Sequence, residues 1–237
     1  GVKEWMDMYT SGKKISTSGG PEIRLSARYT LPGNSSIKVS FNRMRQYLQM
    51  LSNTTAIAPT DIWKLSDPYI KPLLGNQFSI GYYKNARAIE LSIEAYYKQM
   101  QNFLDYKGGA ELILNHHIET DIINAKGKAY GAEFMIKKPS GKFNGWLSYT
   151  YSRSLIRADG RFPSEVINQG KYYPSNYDKP HAVNFIGNYK FNRRFSVSAN
   201  TTYSTGRPIT LPLTKYDVDG TSRLFYSDRN QGNKPLW

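Results

Sequence analysis

Strict alternation of apolar and polar residues is the feature that most limits how this chain can fold. In residues 22–31 every odd position is apolar and every even position is polar. A period of two places all the apolar side chains on one face of a β-strand. The pattern recurs in paired runs and predicts four antiparallel hairpins, within residues 22–42, 78–98, 130–152 and 183–204.

Strand length and the order of the connections point to a membrane. The runs predict about eight strands of roughly 9–13 residues, whereas strands in soluble proteins usually have about 5–6. Tilted strands of about 9–11 residues span a bilayer. Short turns are predicted at residues 32–35, 84–87, 139–142 and 192–194. They alternate with long connections at residues 45–76, 99–126, 155–180 and from 206 onward. Outer-membrane barrels have short turns on one side and long loops on the other, so the alternation favours a transmembrane β-barrel.

The composition fits a wall that is wet on one face and apolar on the other. Aromatic residues make up 14% of the 237 residues, and 19 residues are tyrosines, although the mean hydropathy is −0.58. Tyrosine suits such a wall because it has an apolar body and a polar tip. The chain has no cysteine, which excludes disulfides and thiolate metal sites. The net charge of +14 is spread along the chain, which argues against nucleic-acid binding and favours an anionic membrane as partner.

The chain is interpreted as one barrel fragment, residues 1–237. No run of about 18 apolar residues predicts a transmembrane helix, and the first residues do not form a signal peptide. The predicted polar faces carry many charges, which the interior of a small, side-chain-filled barrel would not accommodate. Eight strands of a larger barrel are therefore predicted, with loop-like segments at both ends of the chain.

Several segments resemble strands of the TonB-dependent receptors, a family of outer-membrane transporters. Residues 128–134 (KAYGAEF) are similar to the A-x-G-x-E strand of that family, and residues 145–152 (GWLSYTYS) are similar to the strand that follows. Residues 176–181 (NYDKPH) resemble the lead into the next strand, and residues 203–208 (YSTGRP) resemble its Gly-Arg-Pro exit. The resemblance extends over about residues 20–230 and is strongest to receptors of Bacteroidetes-type bacteria.

The resemblance implies an all-β, antiparallel transmembrane β-barrel segment of about eight meander strands, part of a 22-stranded barrel whose lumen is plugged. The plug domain, the TonB box and the remaining strands are expected outside this chain. The implied function is import of a scarce nutrient, such as an iron chelate, a glycan, a vitamin or a peptide. The protein would then be a multi-pass protein of the bacterial outer membrane and not an enzyme. The implied partners are outer-membrane lipid and lipopolysaccharide, the TonB system acting through the plug, and a surface lipoprotein, with no nucleic acid.

Two other interpretations stay open. A receptor-like barrel could serve as a structural subunit of a larger surface complex, without transport of its own. The chain could also form a self-contained eight-stranded barrel or a surface adhesin. A plug and a TonB box in preceding sequence would favour transport, whereas a barrel closed by this chain alone would favour the small barrel.

The sequence contains no motif for catalysis. There is no G-x-S-x-G, no Walker loop and no cysteine nucleophile. Four acids in the long connections are not paired as a general acid and base, namely Asp61, Asp67, Asp105 and Asp178. No catalytic residue and no cofactor are therefore predicted, and the ligand-binding residues are unknown from sequence.

Metal binding is not predicted either. His116 and His117 lie in a long connection near Glu111, Glu119 and Asp121. Their spacing does not match a known set of metal ligands, so they are interpreted as a solvated pair. The remaining histidine, His181, follows Pro180 at the start of a strand and is expected to make a structural hydrogen bond.

Other polar and aromatic residues receive structural interpretations. The loop aromatics are expected to pack loops or to form an interfacial girdle rather than to stack on a ligand, and they are Trp63, Tyr69, Tyr106, Tyr172 and Tyr173. The basic pairs Lys137-Lys138 and Arg193-Arg194 are expected to solvate the rim near the short turns.

The run 89–98 gives the clearest assignment of faces. Leu91, Ile93 and Tyr97 are predicted to face lipid. Their neighbours Glu90, Glu94 and Lys98 are predicted to face the lumen.

Overall fold

A computed structural model describes residues 19–51, 62–67, 70–107, 118–218 and 221–233. The regular structure in these ranges is β-strand apart from three short 3₁₀ turns at Ile118–Asp121, Pro163–Glu165 and Asn168–Gly170. The predicted all-β class is confirmed. Over these same ranges, the structure holds no helix with the length and apolar character needed to cross a bilayer.

The described residues form strands β1 (Ile23–Leu31), β2 (Ser35–Gln46), β3 (Leu48–Leu51), β4 (Ile62–Leu65), β5 (Leu73–Ala86), β6 (Ile89–Tyr106), β7 (Ile122–Lys138), β8 (Phe143–Arg157), β9 (Tyr173–Pro174), β10 (His181–Lys190), β11 (Ser196–Ser204), β12 (Pro208–Ile209), β13 (Pro212–Val218), β14 (Thr221–Tyr226) and β15 (Gly232–Asn233). Eight long strands pair antiparallel in the order β1-β2-β5-β6-β7-β8-β10-β11, and the short β9 adds to β8. Three separate two-stranded sheets join β3 to β4, β13 to β14 and β12 to β15. The predicted eight-stranded meander is therefore present.

The sheet has two open edges. Strands β1 and β11 lie at its ends and do not pair with each other within the described ranges. Nearly every residue of both strands is exposed. An open edge presents unpaired backbone groups, which hydrocarbon cannot satisfy. This arrangement counts against a small barrel closed by this chain alone.

All four short turns lie at one end of the sheet, called here the short-turn end, because successive strands run antiparallel. They join β1 to β2, β5 to β6, β7 to β8 and β10 to β11. In the first, Gly33 (φ 76°) and Asn34 (φ 56°) take left-handed conformations. Glycine and asparagine adopt the left-handed conformation at low energetic cost, so this turn could be predicted from the sequence. The opposite end of the sheet carries the long connections and is called the loop end.

The central strands continue further toward the loop end than the alternation predicts. Strand β6 has 18 residues and β7 has 17, so the prediction of a loop from residue 99 to residue 126 was wrong at both boundaries. The cause is a β-bulge, because the register shifts between Gln101 and Phe103. The intervening Asn102 has a positive φ of 59°, and its Nδ2 donates to the carbonyl oxygen of Pro72 at 3.0 Å. The extra residue breaks the period of two, although pairing continues beyond it.

One face of the sheet, called here the apolar face, carries an unbroken apolar row across all eight long strands. The register aligns these residues side by side, in the order Tyr29, Ile37, Tyr82, Ile93, Phe134, Tyr149, Val183 and Tyr203. Six of the eight are exposed, with Ile93 at 46% and Tyr203 at 59%, whereas Ile37 and Val183 are partly buried. Among the described residues no second layer packs over it, as a second sheet would in a β-sandwich.

The apolar face is bounded by polar residues, and its boundary on the loop side shifts on β8 and again on β10. Toward the loop end, the first polar residue on β6 is Gln99, which is paired with Lys128 on β7. On β8 the boundary comes one row earlier, at Arg153, the partner of Tyr130. On β10 it comes one row earlier again, at His181, the partner of Tyr151. The apolar band therefore slides toward the short-turn end along the sheet, as it does when tilted strands cross a flat membrane.

The reverse of the sheet, called here the polar face, carries a buried apolar cluster at the loop end. Strand β7 contributes Ile123 and Ala125, and β8 contributes Ile156, to a buried cluster. The segment after β8 folds back onto them and adds Ala158, Ile167 and Tyr173. Alternation puts these strand residues on the same side as Glu133 and Ser154. The long connection from β8 to β10 is thus folded over the polar face.

Candidate functional site

The polar face carries hydroxyl and charged groups along the middle of every long strand. Ser40 and Ser79 are cross-strand partners, and their hydroxyl oxygens lie 2.6 Å apart. Further along the same row come Tyr96, Gly131 and Ser152. This surface can offer hydrogen bonds to a polar ligand or to a polar domain placed against it.

The next row toward the short turns separates charge by sign. Arg28 on β1 lies directly opposite Lys38 on β2. Gly81 follows on β5, and then Glu94 on β6 lies opposite Glu133 on β7. Like charges placed directly opposite are unfavourable for a sheet. The row therefore has a cationic half and an anionic half with a glycine between them.

Two tyrosines cover glycines on the polar face. A Cβ added to Gly81 would lie 2.9 Å from the hydroxyl oxygen of Tyr83. A Cβ added to Gly131 would lie 3.0 Å from the ring of Tyr96 and would clash with the carbonyl oxygen of Tyr151. The rings fill the space that a side chain would otherwise take, and this packing stiffens strands that glycine alone would weaken.

A polar cluster lies at the loop end, beside the buried apolar residues of the polar face. The Arg229 guanidinium donates to Asp105 Oδ1 at 2.9 Å and to the carbonyl oxygen of Tyr106 at 2.8 Å. The Tyr173 hydroxyl donates to the other oxygen of Asp105. Burial and the neighbouring Asp105 carboxylate raise the pKa of Tyr173, so this hydroxyl keeps its proton and remains a donor.

The same cluster ties the segment after β14 to the long connection between β8 and β10. Asn168 Nδ2 donates to the carbonyl oxygen of Arg229 at 2.8 Å, and Arg229 N donates back to Asn168 Oδ1 at 2.9 Å. Asn230 Nδ2 donates to the carbonyl oxygen of Pro174 and to Asn176 Oδ1, at 2.9 and 2.7 Å. Three chain segments distant in sequence therefore meet over one end of the polar face.

A second ionic contact fixes the entry into β10. The Asp178 side chain is fully buried and accepts from Arg153 Nε at 3.1 Å. It also accepts from the backbone N–H of Ser154 at 2.6 Å. Asp178 belongs to the segment that resembles the family's lead into the next strand. A carboxylate suits position 178 because it accepts hydrogen bonds from two residues of β8 and so joins the segment to that strand.

The acids and histidines singled out from sequence have structural surroundings where they are described. Asp67 Oδ1 accepts from the backbone N–H of Ile70 at 2.7 Å. His181 Nδ1 is 2.9 Å from the Tyr149 hydroxyl, which is the structural hydrogen bond expected for it. Asp61, Glu111, His116 and His117 lie outside the described residues, as does the side chain of Glu119. Across the described ranges no group of three or more His, Asp or Glu residues could hold a metal ion.

The loop aromatics divide between buried and exposed positions. Tyr106 and Tyr173 are 8% and 2% exposed and pack the loop end, as expected. Trp63 is 61% exposed, and Tyr172 is 42% exposed with the Lys128 ammonium 4.0 Å from its ring centroid. Tyr69 lies outside the described residues.

The basic pairs near the short turns differ from each other. Lys137 forms an ion pair with Glu90 across the polar face, with Nζ and Oε2 3.1 Å apart. Its interpretation as a merely solvating residue was therefore wrong, because register brings the two residues opposite each other. Arg193 and Arg194 are exposed in the turn between β10 and β11.

Sequence reasoning missed the polar cluster at the loop end. Its members come from residues 105, 168–176 and 228–230, and they follow no period. Asn168, Gln169 and Gly170 have positive φ in succession, with values of 49°, 58° and 70°. The only local signal is the Asn-Gln-Gly run itself, which includes two residue types that tolerate this conformation.

The arrangement can do two things chemically. The exposed apolar face can meet hydrocarbon, while the polar face can meet water or a polar domain.

Comparison with known proteins agrees with this division of faces. A model of the family described as "TonB dependent receptor-like, beta-barrel" matches residues 12–235. A search of curated proteins and a search of solved structures found no match.

Proposed function

The chain belongs to the TonB-dependent receptor-like β-barrel family, whose members are outer-membrane transporters rather than enzymes, and from this premise we propose that it forms part of the wall and the outer loops of a transporter for a scarce nutrient. An iron chelate, a glycan, a vitamin or a peptide would suit the family. The Bacteroidetes-type origin stays a prediction.

One observation carries the proposal. The exposed apolar row through Ile93 and Phe134 is backed, on the same strands, by a row that contains Glu94 and Glu133. Lipid outside and water inside is the environment in which both rows are stable. The slide of the apolar band supports it, because tilted strands are the geometry of a barrel wall.

The open edges support a larger barrel. Strands β1 and β11 would each pair with a further strand, so that the eight strands become part of a closed wall of 22. A barrel that wide needs a plug, and the charged polar face would be the surface that the plug meets. The TonB system would act through that plug, and lipopolysaccharide and a surface lipoprotein would contact the outer side and the loops.

Uptake by the full-length protein tests the proposal. Cells would express it in place of their own receptors, with and without TonB, and would be offered radiolabelled ferric citrate, cobalamin, a malto-oligosaccharide and a tripeptide. We expect one class to accumulate, and only when TonB is present. Assembly in the outer membrane without uptake, together with isolation in a stable surface complex, would favour the structural-subunit alternative. The structural-subunit alternative is supported by the connection between β8 and β10, which is folded over the loop end of the polar face.

A further inference from the structure

A basic pocket opens between two short turns and has no part in the function described so far. The volume of the pocket is about 510 Å³. Its lining includes four cationic side chains, those of Lys142, Lys190, Arg193 and Arg194. The backbone N–H of Lys190 donates to the carbonyl oxygen of Lys142 at 2.7 Å, which holds the two turns together. Asn192 Oδ1 accepts from Arg194 N and Phe195 N at 2.8 and 2.9 Å, so the second turn has a fixed shape.

The pocket carries positive charge without a counter-charge. No carboxylate lines it. Within the described ranges, none of its four cations forms a salt bridge. Four cations around one concavity repel each other, and an anion between them relieves that repulsion. Arginine also supplies paired N–H donors that match the oxygens of a phosphate group.

An aromatic cluster borders the pocket and points to the kind of anion. The rings of Tyr189 and Phe191 meet edge to face, with centroids 4.6 Å apart, and Phe191 is 5.2 Å from Phe195. All three are exposed, at 42%, 54% and 56%. Tyr189 continues the apolar face, because it pairs with Phe143 and Val197. Aromatic residues at the edge of an apolar band mark the level of lipid headgroups.

We propose that this pocket binds the phosphate of an anionic phospholipid, with Phe191 and Phe195 against the upper part of its acyl chains. The inference rests on the proposed function, which puts the long loops outside the cell and therefore the short-turn end at the periplasmic leaflet. A lipid is favoured over a free anion because Arg193 and Arg194 lie in the same turn as the exposed rings of Phe191 and Phe195. An anionic headgroup is favoured over a zwitterionic one because the latter carries its own ammonium group.

Lipid retention by the full-length protein tests the proposal. The protein would be purified in detergent, exchanged with phosphatidylglycerol or with phosphatidylcholine of the same chains, and examined by native mass spectrometry. We expect the parent to retain phosphatidylglycerol preferentially. Arg193→Gln/Arg194→Gln should lower that retention by at least about tenfold, since each cation near an anionic headgroup contributes several-fold. The matched control is Lys84→Gln/Arg87→Gln at the neighbouring short turn, which should retain lipid as the parent does.

Three results would overturn the proposal. These are equal retention of the two lipids by the parent, unchanged preference in the pocket variant, and equal loss in the control variant. Displacement of the lipid by inorganic phosphate at low millimolar concentration would assign the pocket to a free anion instead. Heat-modifiable gel mobility reports folding, and Lys142→Gln/Lys190→Gln is the second variant if the first does not fold. The assay uses neither nutrient nor TonB, so a failure of transport and a failure of lipid binding are separate outcomes.

Discussion

Glu94 of β6 and Glu133 of β7 lie directly opposite each other on the polar face, so two carboxylates are cross-strand neighbours in the middle of the wall. On the same row, Arg28 lies directly opposite Lys38, so that two positive charges are also cross-strand neighbours. A protein selected only for sheet stability would place a cation opposite a carboxylate. The segregation of charge is what a surface that meets a charged partner or ligand would show.

Removing one of these carboxylates should stabilise the fold. Glu133→Gln keeps the size of the side chain and ends the repulsion from Glu94, and we expect a gain of about 0.2–1 kcal/mol in unfolding free energy. Urea unfolding in lipid vesicles measures it. The gain should shrink in high salt, because ions screen exposed charges. Equal stability of parent and variant in low salt would show that another group already compensates the pair.

Charge on the apolar face should be costly. Ile93 lies in the middle of the apolar row and is exposed, so Ile93→Arg would place a cation in hydrocarbon. We expect a cost of about 2–4 kcal/mol and poor assembly. Ile93→Leu is the control and should cost less than about 1.5 kcal/mol. If Ile93→Arg assembles as well as the parent while Glu94→Leu does not, the two faces have been assigned the wrong way round.

The backbone of Tyr151 makes Gly131 hard to replace. A methyl group at Gly131 would meet the carbonyl oxygen of Tyr151, which belongs to the paired backbone and cannot move aside. We expect Gly131→Ala to destabilise the barrel by about 1–3 kcal/mol. Gly75→Ala is the matched control, because its nearest neighbour is the flexible end of Lys98 at 3.3 Å. Thermal unfolding of the two variants should rank them in that order, and a reversed order would contradict the packing described.

The loop-end cluster should depend on one hydroxyl. Tyr173→Phe removes a donor to the partly buried Asp105 and should weaken the local structure by about 1–3 kcal/mol. Hydrogen–deuterium exchange of residues 168–176 and 228–230 is expected to accelerate, since Asp105 also holds Arg229. Tyr172→Phe is the control, because the adjacent tyrosine is exposed. Unchanged exchange in Tyr173→Phe would mean that the apolar cluster alone holds these segments.

The wall of the protein could be predicted from sequence, whereas the loop end could not. Alternation and turn residues such as Gly33 and Asn34 act locally, so the strands and the order of their connections follow from short stretches of chain. The prediction fails at the bulge at Asn102, because the extra residue moves the following side chains of β6 to the opposite face while its pairing with β7 continues. The contact between Asp105 and Arg229 joins residues far apart in sequence, and no local pattern reports it.

The slide of the apolar band has a consequence for how substitutions in this wall are compared. Leu25 and Phe41 share a ladder position, and continuing along that position through the sheet leads to Arg153. Paired residues on β7, β8 and β10 are therefore not at equal depth in the bilayer, because the boundary moves by one row at β8 and by another at β10. A map of tolerated mutations should follow that shift, with the zone that rejects charge ending one row nearer the short turns on β8 and one row nearer again on β10.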